Sequence, residues 1–126
     1  MSIVSQLVIG GGKASEAVEF YKALFGATEE RRVPAQDGKR LMHTELLFAG
    51  GKIHLNDDFG DEDGAPAMVS QLIGLEKAAE VDALFAKAKS MGAATIQEPQ
   101  DMFWGDRFAM FRDPFGHRWH IGAPKG

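Results

Sequence analysis

The stretch VSQLVIG at residues 4–10 returns as VSQLIGL at residues 69–75. A repeat of this kind is read before any other signal, because each copy is a unit that needs a neighbour to complete its core. The likeness runs past the strand-like heptapeptide. Phe20 lies fourteen positions after Gln6 (20 − 6) and Phe85 fourteen after Gln71 (85 − 71), so a strand and the helix that follows share one offset of 65 (71 − 6). Each helix then runs into a Gly-Ala pair, in YKALFGAT and in AKAKSMGAAT, where Gly26 and Gly92 suit the left-handed residue that ends a helix. At that point the offset has drifted by one residue.

Outward from the heptapeptides, alternation and turn signals predict a strand over 3–9, a helix near 15–25, and strands near 27–33, 41–49 and 52–56. The Asp-Gly of AQDGK and the Gly-Gly of AGGK mark hairpins between the last three. The second copy predicts a strand over 68–75, a helix near 77–91, and strands near 94–98, 107–112 and 117–122. The order βαβββ therefore occurs twice. A four-stranded module with one helix covers one face of its sheet and leaves the other open. The expectation is an α+β fold: two βαβββ modules in a curved, mainly antiparallel sheet around a concave pocket, with helices on the outer face. Leu7, Ile9, Phe20, Phe25 and Phe85 are the expected cover on the helix side. The whole chain reads as one domain over 1–126, with module 1 at about 1–57, an acidic linker at about 57–66 and module 2 at about 67–126.

Composition narrows the function classes. With 126 residues, 44% of them hydrophobic, the chain is long enough for a real core. It has no Cys, which removes disulfides, thiolate metal sites and a Cys nucleophile, and suits a reducing compartment. A net charge of −4, with no clustered basic face, argues against nucleic acid as a partner. No basic leader precedes the first apolar run, and no segment approaches a membrane span in length, so a cytoplasmic protein without a membrane partner is expected.

The duplicated βαβββ order, EAVEFYKALFGA at 16–27, DGKRLMHTELLFAGGKIHLND at 37–57 and MFWGDRFAMFRDPFGHRWHIG at 102–122 together resemble the vicinal-oxygen-chelate superfamily. This is the glyoxalase, bleomycin-resistance and extradiol-dioxygenase fold, and the resemblance is to its PhnB-like branch. It implies a small organic ligand in the concave pocket and a homodimer. In metal-using members, ligands come from the first and fourth strands of each module. Carried onto this chain, those positions are Gln6 and His54 in the first module and Gln71 (with Ser70 as the register alternative) and His120 in the second. The carboxylates that such sites usually include are missing here. Four neutral ligands leave a divalent charge uncompensated, so a metal-free site that binds its ligand through Gln6, His54, Gln71, Trp104 and His120 is the expected function. The alternative is a metal-dependent lyase or dioxygenase, with Zn, Ni, Fe or Mn on Gln6, His54, Gln71 and His120.

Other residues admit two readings each. His43 and Glu45 in MHTEL share one strand face. If that face lines the pocket, Glu45 is the candidate catalytic base, since burial raises a carboxyl pKa; if not, the pair is a surface contact. In FWGDR at 103–107, Trp104 is either a pocket lip or a cover for the core above a turn in which Asp106 and Arg107 pair. DPFG at 113–116 reads as a turn, with no chemistry for His117. GGGKAS at 10–15 lacks the Lys-Ser/Thr pair of a phosphate loop, and Asp57, Asp58, Asp61, Glu62 and Asp63 lack calcium-loop spacing and read as a solvated segment.

Overall fold

The computed structural model describes residues 3–48, 50–59 and 69–125, and divides the chain into two compact units, Met1–Ala65 and Pro66–Gly126. Among the described residues, the first unit contains β1 (Ser5–Ile9), α1 (Ala14–Phe25), β2 (Thr28–Pro34), β3 (Leu41–Phe48) and β4 (Gly51–Asp57). The second contains β5 (Gln71–Gly74), α2 (Ala78–Ser90), β6 (Ala94–Asp101), β7 (Asp106–Arg112) and β8 (Arg118–Pro124). The βαβββ order thus occurs twice, in an α+β fold of two four-stranded sheets. Strand order is β1-β4-β3-β2 in one and β5-β8-β7-β6 in the other, with the first strand of each parallel to the last and the other pairs antiparallel. No helix among the described residues is long and apolar enough to cross a membrane.

In the first unit the helix-side face consists of Leu7 and Ile9 on β1, Leu46 on β3 and Ile53 and Leu55 on β4, all buried against Ala17, Val18, Tyr21 and Leu24 of α1. Each such aliphatic side chain contributes roughly 1.5–3 kcal/mol on leaving water. Tyr21, not Phe20, is the fully buried aromatic of α1, and Phe20 and Phe25 are only half-buried. In the second unit Ala109, Phe111, Trp119 and Ile121 meet Val81, Phe85 and Ala88 of α2.

Register corrects the repeat. Gln6 pairs with His54, but it is Leu72 that pairs with His120, so the strands and both histidines correspond at an offset of 66 (72 − 6 and 120 − 54). The buried helix positions correspond at 64 instead (81 − 17 and 85 − 21). The first strand-to-helix connection is therefore two residues longer. It is the Gly10–Gly12 segment, where Gly11 and Gly12 take φ of 71° and 73°, a left-handed backbone that glycine adopts without strain. The offset of 65 given by the identical VSQL falls between these two values.

Asp57 also departs from the expected solvated linker. It is fully buried; one carboxylate oxygen accepts from Ala14 N at 2.9 Å and the other from Leu41 N at 2.6 Å. It satisfies an orphan N–H at the start of α1, where negative charge is favourable and Lys13 supplies no side-chain cap. Asp61, Glu62 and Asp63 lie outside the described residues.

Candidate functional site

The face of the first sheet turned away from α1 carries a polar row across all four strands. In register, Gln6 on β1 pairs with His54 on β4, His54 with Glu45 on β3, and Glu45 with Arg31 on β2. Side chains two apart on a strand share a face, so His43 joins this row from the same side. His43 Nε2 is 2.8 Å from Glu45 Oε2, and the His43 and His54 rings meet edge-on with centroids 4.7 Å apart. One ligand-type atom from each of His43, Glu45 and His54 lies within 4.8 Å of the other two. All three are half-buried.

Glu45 is the centre of this cluster. The reading in which burial raises its pKa is overturned: the His43 hydrogen bond, followed by the Lys52 ammonium 3.4 Å away and the His54 ring, holds the carboxyl below its ordinary value, and together they outweigh desolvation. A carboxylate with stabilised charge is a poor proton acceptor, which weakens the general-base role. Arg31 approaches it at 3.9 Å, with its side chain largely exposed.

Of the residues implied as ligands, Gln6 is exposed and donates its amide to Asn56 Oδ1. In the second unit Gln71 pairs with Trp119, whose side chain is fully buried, and so lies on the helix side of its sheet. The position matching Gln6 is occupied by Leu72, which is 67% exposed and has no donor atom for a metal. The first- and fourth-strand set Gln6, His54, Gln71 and His120 therefore does not fit a metal: one amide faces away from the histidine of its own sheet and no carboxylate belongs to the set.

The open face of the second sheet is aromatic. Phe103 and Trp104 meet edge-on at 5.1 Å, Trp104 and Phe108 at 5.8 Å, and Phe108 and His120 at 5.3 Å. Phe108 pairs with Gly122, and Met110 and Leu72 flank His120 in register. Trp104 is 51% exposed and so does not cover the core. Nor does Arg107 pair with Asp106: its guanidinium forks onto both carboxylate oxygens of Asp82 on α2 at 2.8 Å and reaches Asp101 at 3.1 Å, which raises the Arg107 pKa and lowers that of Asp82. Reading from sequence missed Phe108, Met110 and Leu72. Their alternation with the buried Ala109 and Phe111 and the half-buried Ile73 was visible, but which alternate set faced the helix was not.

DPFG is a turn, as expected. Asp113 accepts from Phe115 N at 2.9 Å, His117 N at 3.0 Å and the Trp119 indole at 2.8 Å, tying the β7–β8 turn to the core.

Comparison with known proteins agrees with this architecture. An uncharacterized protein of Mycobacterium bovis is 38% identical over 117 residues, spanning 88% of this chain and 76% of its own length. Among solved structures, protein PA1353 from Pseudomonas aeruginosa superposes with a TM-score of 0.86 at 23% identity, over 100% of this chain and 99% of its own. A PhnB protein from Bacillus cereus gives a TM-score of 0.80 at 21% identity, over 98% and 99%. Both likenesses are of fold. Residues 3–121 match the Glyoxalase/Bleomycin resistance protein/Dioxygenase superfamily, and the chain belongs to that superfamily.

Proposed function

We propose that this protein binds a small organic molecule with a planar part, and does so without a metal held by the set Gln6, His54, Gln71 and His120. The observation that carries the reading is the edge-to-face series Trp104, Phe108, His120 on the open face of the second sheet. A half-exposed indole, a phenyl ring and a thioether ending at one imidazole offer ring surface with a single hydrogen-bonding group, the composition that small-molecule sites share. In the first unit, Gln6 and His54 supply the corresponding polar pair.

Fluorescence tests this directly, because Trp119 is fully buried and a surface ligand is reported by Trp104. Titration with anilinonaphthalene sulfonate and a series of planar aromatic acids is expected to give a saturable change, lost in Trp104→Ala and weakened in His120→Ala. Equal affinity in the wild type and both variants overturns the reading.

The alternative, a metal-dependent lyase or dioxygenase of the same superfamily, has one observation in its favour: the approach of His43, Glu45 and His54. We further propose a homodimer, supported by the open edges that β2 and β6 present within their own sheets, and a cytoplasmic location, supported by the absence of Cys.

A further inference from the structure

The cluster on β3 and β4 uses a strand that the superfamily's ligand positions do not. Glu45 and His54 are direct cross-strand partners, His43 is two residues before Glu45, and the three side chains converge on one side of a single antiparallel pair. Two imidazoles and one carboxylate are a ligand set suited to borderline divalent ions, and the carboxylate supplies the negative charge that the Gln and His positions lack. The His43 and His54 rings stand nearly perpendicular, and one ring nitrogen of each lies within 4.8 Å of the other and of a Glu45 carboxylate oxygen. We infer that His43, Glu45 and His54 hold a divalent transition-metal ion, of the zinc or cobalt class, at a site that keeps the fourth-strand His54 and takes its other two ligands from β3. Three protein ligands leave the remaining coordination positions to water or to a donor atom of a bound molecule.

Two features bear on strength. Lys52 and Arg31 partly neutralise Glu45 at 3.4 and 3.9 Å, but both are long side chains with exposed surface, and such pairs are weak enough for a dication to displace. His43 shares a proton with Glu45 across 2.8 Å; moving that proton to the other ring nitrogen frees Nε2 as a ligand, a change open to any neutral imidazole. The expected affinity is therefore moderate, and acid weakens it, because protonated imidazole cannot coordinate. The site goes beyond the small-molecule reading: a metal can sit here whether or not the aromatic face of the second unit binds a ligand.

The test is titration of the intact protein with cobalt(II), read by its visible absorption, with competition by zinc. One equivalent is expected to bind. Glu45→Gln and His43→Ala are each expected to weaken it by at least about tenfold, whereas Gln6→Ala and His120→Ala keep wild-type affinity. Circular dichroism melts establish that each variant is folded, and the two cluster variants are independent, so the failure of one to fold leaves the other decisive. His54→Ala does not discriminate, because both ligand sets contain it. The inference is overturned if no cobalt binds at millimolar concentration, or if binding survives Glu45→Gln and His43→Ala but is lost in Gln6→Ala or His120→Ala.

Discussion

Glu45 and His54 face each other directly across the β3–β4 ladder, and the Glu45 carboxylate lies 2.8 Å from His43 on the same strand. One pair of adjacent strands thus brings two imidazoles and a carboxylate onto the sheet face that α1 leaves uncovered.

The pH behaviour of Glu45 follows from its partners. Its pKa in the folded protein lies below the ordinary 4.5, so the stability it contributes is fully present above that value and is lost as pH falls through the lower folded value. Glu45→Gln should remove this part of the acid limb. Thermal melts between about pH 7 and pH 3 check it, and identical acid limbs in the two proteins would refute the assignment. Asp37 should titrate lower than an ordinary carboxyl, at about 2, because its carboxylate accepts from Arg40 N, Lys39 N and the Arg40 guanidinium in the β2–β3 turn. Side-chain carbon shifts in NMR read both groups.

Thr44 is fully buried on the helix side of β3, and its hydroxyl has no hydrogen-bond partner. An unsatisfied buried hydroxyl costs about 1–3 kcal/mol. Thr44→Val keeps the shape and removes the polar atom, so it should raise the melting temperature. A lower melting temperature would mean that the hydroxyl is satisfied in solution.

Two buried aspartates hold the modules by different means. Asp57→Ala strips a partner from Ala14 N and Leu41 N, and Asp113→Ala strips one from two backbone N–H groups and the Trp119 indole. Each should destabilise by about 3 kcal/mol, since buried donors are left unpaired. Denaturant unfolding measures it, and a loss under about 0.5 kcal/mol, the scale of an ordinary surface change, would contradict the buried-anchor account.

A homodimer should scatter light as twice the 13.7 kDa chain at micromolar concentration. Retention of the 13.7 kDa mass across that range would dispose of the dimer.

What the residues by themselves determined is local. Alternating apolar positions, Asp-Gly and Gly-Gly turns, and Gly26 past the end of α1 specify strands and helices with a periodicity that any segment carries alone. Hence the two βαβββ modules were legible before any coordinates. Which face of each strand meets the helix was not, because a shift of one residue exchanges every side chain between faces, and only the paired strand sets that register. The identical VSQL pointed to Gln71 as the partner of Gln6; the β5–β8 ladder assigned that place to Leu72. His43 and Glu45 were visible as a pair two residues apart, but their meeting with His54 depends on the β3–β4 register, and the sign of the Glu45 shift on the His43 hydrogen bond first and on Lys52 after it. Asp57 looked like part of a solvated acidic run because its neighbours in sequence are acidic. Its role comes from Ala14 and Leu41, residues distant in sequence that folding places against it.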